Sequence, residues 1–120
     1  MASVEFRLVV IKTPQLSALT RFYEQLGLAF VEEQHGKGPI HFSANVSGIV
    51  LEIYPLPNEI LVDTSTRLGF AVENLASVCE SLRSISVEVK GPSATPWGER
   101  AVAYDPDGRA IELYSLPVES

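Results

Sequence analysis

Gly48-Ile49-Val50-Leu51-Glu52-Ile53-Tyr54-Pro55-Leu56-Pro57 returns sixty residues later as Gly108-Arg109-Ala110-Ile111-Glu112-Leu113-Tyr114-Ser115-Leu116-Pro117. In a chain of 120 residues this spacing means two similar halves, not an array of small repeats. Each copy sets one carboxylate, Glu52 or Glu112, in an otherwise apolar run that reads as a strand, with a tyrosine two positions on. A carboxylate at a half-buried strand position is costly unless something partners it.

Outward from the repeat, both halves read in the same order. Phe6 to Lys12 is a β-branched, apolar strand. Thr13 then stands at an N-cap position, with Pro14 at the first helical residue, where its missing N–H does no harm. Leu16, Leu19, Tyr23 and Leu26 form one helical face, and Gly27 is placed to end it. Strands are expected at Ala29 to Gln34, Ile40 to Ala44 and Ile49 to Tyr54. In the second half Arg67 to Val72 is a strand. Asn74 caps a helix whose face is Leu75, Val78, Cys79 and Leu82, and strands follow at Ser86 to Val89, Arg100 to Tyr104 and Arg109 to Tyr114.

The expected fold is therefore α+β: two tandem βαβββ modules forming curved mixed sheets with a concave cup. The chain is expected to be a single domain over residues 1–120. Its first module runs over about 3–55, a proline-containing linker over about 56–65, and its second module over about 66–117.

The second hairpin fixes a register. Asp105-Pro106-Asp107-Gly108 has the residue order of a type I turn with glycine in the left-handed bulge position. It pairs Val102 with Glu112 and Arg100 with Tyr114, so that Arg100 and Glu112 are diagonal neighbours on one face. A two-residue loop would flip the assignment. Strand alternation puts Ile49, Leu51 and Ile53 on the helix side and Val50, Glu52 and Tyr54 on the other. Leu68, Phe70 and Val72 likewise face a helix. Arg67, Gly69 and Ala71 share the glutamate face, as do Phe6, Leu8 and Val10 in the first half.

A cup with acids, tyrosines, an arginine and small residues has the ingredients of a ligand pocket. The competing reading is that Arg67 merely neutralises one or both glutamates.

Composition narrows the classes. Nine basic against fifteen acidic residues leave a net charge of −6, which argues against a nucleic-acid partner. The lone Cys79 rules out an intrachain disulfide and reads as a small core residue. No signal peptide and no membrane-length apolar run is seen, so a cytoplasmic protein without a membrane partner is expected.

The stretch from Pro14 to Leu28, together with Pro96-Trp97-Gly98-Glu99-Arg100 and Asp105 to Tyr114, resembles the glyoxalase/bleomycin-resistance/extradiol-dioxygenase (vicinal oxygen chelate) superfamily over nearly the whole chain. The resemblance implies four metal-ligand positions, one on each half's first strand and one on each half's last. They fall on Leu8, Glu52, Arg67 and Glu112. Leucine has no donor atom and arginine repels a cation, so no metal and no cofactor is expected there.

The drug-sequestering branch of that superfamily supplies the leading expectation: a metal-independent, homodimeric small-molecule-binding protein. Its ligand residues would be Arg67, Arg100, Glu52, Glu112, Tyr54, Tyr114, Trp97, Phe6 and Phe42. Whether it is an enzyme stays open. The alternatives are a glyoxalase-type lyase or isomerase, or a dioxygenase-like enzyme, using Glu52 or Glu112 as catalytic groups with or without a divalent metal, and a non-catalytic structural or interaction module. His35 and His41 are expected at exposed or edge positions, with His41 turned away from Glu52.

Overall fold

A computed structural model describes residues 2–57 and 60–117. Its elements run β1 (Leu8–Thr13), α1 (Leu16–Glu24), β2 (Val31–Glu33), β3 (His41–Val46), β4 (Ile49–Pro55), β5 (Leu68–Val72), α2 (Leu75–Ser84), β6 (Val89–Thr95), β7 (Gly98–Tyr104) and β8 (Ala110–Ser115). They make two four-stranded mixed sheets, ordered β1-β4-β3-β2 and β5-β8-β7-β6. In each, the first strand runs parallel to the last and the remaining pairs are antiparallel. The fold is thus α+β with two tandem βαβββ modules. Two compact units contain them: Met1–Glu24 with Leu28–Val62, and Gln25–Gly27 with Asp63–Ser120. Of the expected linker, residues 58 and 59 lie outside the described residues.

The helix starts follow from local chemistry. The Thr13 hydroxyl accepts the Gln15 N–H at 3.1 Å, and the Asn74 side chain accepts that of Ser77 at 3.1 Å. Gly27, with φ +109°, turns the chain out of α1 in the left-handed region.

In the first unit Leu19, Phe22 and Tyr23 of α1 are buried, as are Ile11, Ala44, Leu51 and Ile53 of the sheet. Phe22 belongs to this buried set although the expected stripe of Leu16, Leu19, Tyr23 and Leu26 omitted it. In the second unit Leu75, Cys79 and Leu82 are buried with Val72, Ala101, Ala103, Ile111 and Leu113. Each fully buried large aliphatic contributes about 1.5–3 kcal/mol relative to exposure.

One strand lies elsewhere than expected. Ser86 takes φ +65° in the connection after α2, and the strand begins at Val89, not Ser86, running to Thr95. It passes through Gly91-Pro92, where the register against β7 shifts between Lys90 and Ser93. Proline has no N–H to give a ladder and is tolerated at such a bulge on an edge strand, which β6 is.

The two repeated hairpins also differ. In the second, Gly108 takes φ +93° and donates its N–H to the Asp105 carbonyl at 2.8 Å, and Val102 pairs with Glu112 and Arg100 with Tyr114, as expected. In the first, Val46 pairs directly with Ile49 across a two-residue loop, Ser47 (φ +51°) and Gly48 (φ +90°). Two positive φ values are the signature of a type I′ turn. Relative to the second hairpin, the ladder is displaced by one residue, and one residue of slip turns every side chain of β3 over.

Candidate functional site

In each sheet the candidate glutamate and tyrosine lie on the face opposite the buried aliphatic set. In the second unit the focus is Glu112. Arg100 donates to its Oε1 from both Nε (2.8 Å) and a terminal nitrogen (2.5 Å). The Tyr114 hydroxyl donates to the same oxygen at 3.1 Å, and a terminal nitrogen of Arg67 lies 3.4 Å from Oε2. Gly69 and Ala71 stand beside Glu112 and Tyr114 in the parallel ladder.

The Arg100 hydrogen bonds hold the Glu112 carboxyl below the usual carboxylate range. Desolvation opposes this, while the Tyr114 hydrogen bond and the Arg100 and Arg67 charges reinforce it. A carboxylate held ionised, with two guanidiniums on its oxygens, is a poor general base. It is a poor metal ligand for the same reason, since a cation at Oε2 would have to displace Arg67 and sit beside the Arg100 guanidinium held on Oε1.

The first unit differs because of its turn. The one-residue slip puts His41 across from Tyr54 and Ser43 across from Glu52, while Phe42 pairs with Ile53. Two expectations are corrected by this. Phe42 lies on the buried aliphatic side of the sheet, not among the walls of the glutamate face. His41 is turned toward Glu52, and at 1% exposure it is neither exposed nor on an edge strand. The sequence signal that would have found it is Ser47-Gly48, whose left-handed tolerance suits a two-residue turn.

Around His41 the face is polar and crowded. Its Nε2 lies 3.4 Å from Glu33 Oε1, 3.8 Å from Glu52 Oε2 and 3.3 Å from the Tyr54 hydroxyl. Nδ1 lies 3.2 Å from the Pro39 carbonyl oxygen. The imidazole stacks on the Tyr54 ring, centroids 4.1 Å apart and planes within 9°. Burial pushes the Tyr54 phenol up, and the charges of Glu52 and Glu33 push it further. The exposed His35, in the turn after β2, brings its ring to 5.1 Å from that of His41.

The remaining expected residues are more dispersed. Phe6 precedes β1, is 64% exposed, and lines a shallow open pocket with Glu5, Arg7, Ser47, Gly48 and Ile49. Trp97 is 76% exposed in the two-residue loop joining β6 and β7. Leu8 stands on the Glu52 side of its sheet, exposed and without a donor atom. Cys79 is a free, buried thiol whose pKa burial raises, as a core role requires.

Comparison with known proteins gives this geometry a context. A protein of Mycolicibacterium smegmatis described as uncharacterised is 25% identical over 116 residues, 96% of this chain and 97% of its own. The crystal structure of TnmS3, an antibiotic-binding protein from Streptomyces sp. CB03234, is similar with a TM-score of 0.76. The two are 25% identical, over 98% of this chain and 99% of that one. A bleomycin resistance determinant encoded on the transposon Tn5 has the same fold at a TM-score of 0.68 and 18% identity, over 96% of this chain and 100% of that one. The family model for the Glyoxalase/Bleomycin resistance protein/Dioxygenase superfamily matches residues 6–113, and the chain belongs to that superfamily.

Proposed function

We propose that this chain binds a small organic molecule and does so without a metal at the four positions its superfamily uses for one. The observation that carries the reading is the pairing of both Arg67 and Arg100 with Glu112. It places two fixed positive charges where a metal enzyme needs a free carboxylate, and Leu8 removes a second ligand. Similarity to an antibiotic-binding protein supports the drug-sequestering branch as the model for the ligand.

Candidate ligand contacts in the second unit are Arg67, Arg100, Glu112 and Tyr114. In the first unit they are Glu52 and Tyr54 with the exposed Phe6, and the exposed Trp97 adds aromatic surface in the second unit. Arg67 is 58% exposed at its side chain and meets Glu112 through one nitrogen, so its guanidinium fork is accessible to a carbonyl or anionic group. The active form in this reading is a homodimer. The exposed apolar residues Leu8, Val10 and Val31 on the Glu52 face of the first sheet are surface that a second copy would cover.

A second reading, an acid–base enzyme of the lyase or isomerase type, has one specific observation in its favour. Glu52, unlike Glu112, has no guanidinium on it among the described residues and faces an imidazole.

The experiment is a thermal-shift screen of antibiotics and small organic metabolites on protein held in excess EDTA. A true ligand at a hundred times its Kd stabilises the fold by about 2.7 kcal/mol. Arg67→Ala should abolish or weaken the shift. A compound that is turned over instead of retained would favour the enzyme.

A further inference from the structure

The cluster around His41 contains more than the ligand reading uses. Glu33 at the end of β2, His35 two residues later and His41 at the start of β3 each offer one ligand atom, and these atoms all lie within 4.8 Å of one another. The chain supplies them as a short local unit, Glu-x-His followed by a second histidine at the next strand's first residue. They lie apart from the superfamily's metal positions, of which only Glu52 is a neighbour.

The protonation pattern of His41 prepares it as a ligand. A carbonyl oxygen can only accept, so the 3.2 Å contact with Pro39 puts a proton on Nδ1. In the neutral ring Nε2 then carries the lone pair. This is the arrangement seen in metal-bound histidines, whose second nitrogen donates to a carbonyl or carboxylate. Tyr54 does not use that lone pair. With the rings within 9° of parallel, its hydroxyl approaches Nε2 across the ring face, whereas the lone pair lies in the ring plane.

In the space beside Nε2 are the carboxylates of Glu33 and Glu52. A lone pair facing carboxylates is unfavourable unless a cation, a proton or a metal ion, sits between them. The spacing fits the metal. In a tetrahedral site with bonds of about 2.1 Å, neighbouring ligand atoms stand roughly 3.4 Å apart. His41 Nε2 and Glu33 Oε1 are 3.4 Å apart. His35, exposed and on a turn, has the freedom to swing in and close the third corner.

We propose that Glu33, His35 and His41 form a binding site for a divalent ion of the zinc type, with Glu52 or a water completing the shell. Two imidazoles and one carboxylate favour Zn²⁺ over Mg²⁺ or Ca²⁺, which prefer all-oxygen shells. The site is argued from Glu33, His35 and His41, none of which the organic-ligand reading uses, although both readings share Glu52 and its neighbour Tyr54.

The test is equilibrium dialysis of chelator-stripped protein against Zn²⁺, with metal analysis of the retained protein and Mg²⁺ run in parallel. The expected result is one Zn²⁺ per chain and no Mg²⁺. The exposed-residue variant His35→Gln and the variant Glu33→Gln should each weaken retention roughly tenfold or more, while Glu80→Gln on α2 leaves it unchanged. Circular dichroism confirms that each variant is folded. Absence of stoichiometric Zn²⁺, or retention unaffected by both His35→Gln and Glu33→Gln, would overturn the assignment.

Discussion

His41 and Tyr54 stand opposite each other on β3 and β4, and their rings stack with centroids 4.1 Å apart. This contact brings a buried imidazole to two carboxylates, and it exists because the first hairpin closes through Ser47-Gly48 with a two-residue loop.

Removing the imidazole should therefore cost stability twice. His41→Ala leaves a cavity in a fully buried position and strips Glu33 and Glu52 of their shared partner. A loss of about 2–4 kcal/mol is expected in urea denaturation. Tyr54→Phe keeps the stack and should cost less than about 1 kcal/mol.

Acid should weaken the fold through Glu112. Its folded pKa is depressed, chiefly by Arg100, so its contribution is present above the ordinary carboxylate value and is lost as pH falls through the folded one. Between about pH 5 and pH 3 the wild type should lose more melting temperature than Glu112→Gln does. Near neutral pH the same substitution should destabilise by about 1 kcal/mol, because Arg100 keeps only a neutral acceptor. Parallel melting curves across this range check both signs.

At the second hairpin, Asp105 and Arg109 are both buried and their side chains meet at 3.2 Å. Asp105 also accepts the backbone N–H groups of Asp107 and Arg109, at 2.9 and 3.0 Å. Asp105→Ala takes one of two carboxylates from a buried guanidinium, which keeps Asp107 at 3.1 Å, and releases the turn. Because Asp107 remains, the cost should fall below the roughly 3–5 kcal/mol of a fully broken buried pair, at about 2–3 kcal/mol in chemical denaturation.

Cys79 should be unreactive in the folded protein. It is 1% exposed and burial raises its pKa, so the thiolate that would attack a disulfide reagent is scarce and shielded. Reaction with such a reagent should proceed at the unfolding rate in native buffer and become fast in denaturant.

Much of this architecture was legible in the sequence, and the failure that bears on the site has one cause. The repeat around Glu52 and Glu112 gave the two modules and the buried aliphatic faces. Asp105-Pro106-Asp107-Gly108 is specific enough to give the register that joins Arg100 to Glu112. The first hairpin aligns with it glycine for glycine but closes through fewer residues, and one residue of slip exchanges His41 for Phe42 on the polar face. Similarity between the halves concealed the difference, because side-chain direction in a strand depends on parity and not on resemblance. The strand expected at Ser86 to Val89 instead runs from Val89 to Thr95, through Gly91-Pro92, which an edge bulge accommodates.

The most direct measurement is the thermal-shift screen of antibiotics and small organic metabolites in excess EDTA, run on the wild type and on Arg67→Ala. Metal-independent binding predicts at least one compound that raises the wild-type melting temperature in EDTA and whose effect is lost in Arg67→Ala. If no compound does so, or if every shift requires a restored divalent ion and an intact Glu112, the account is contradicted.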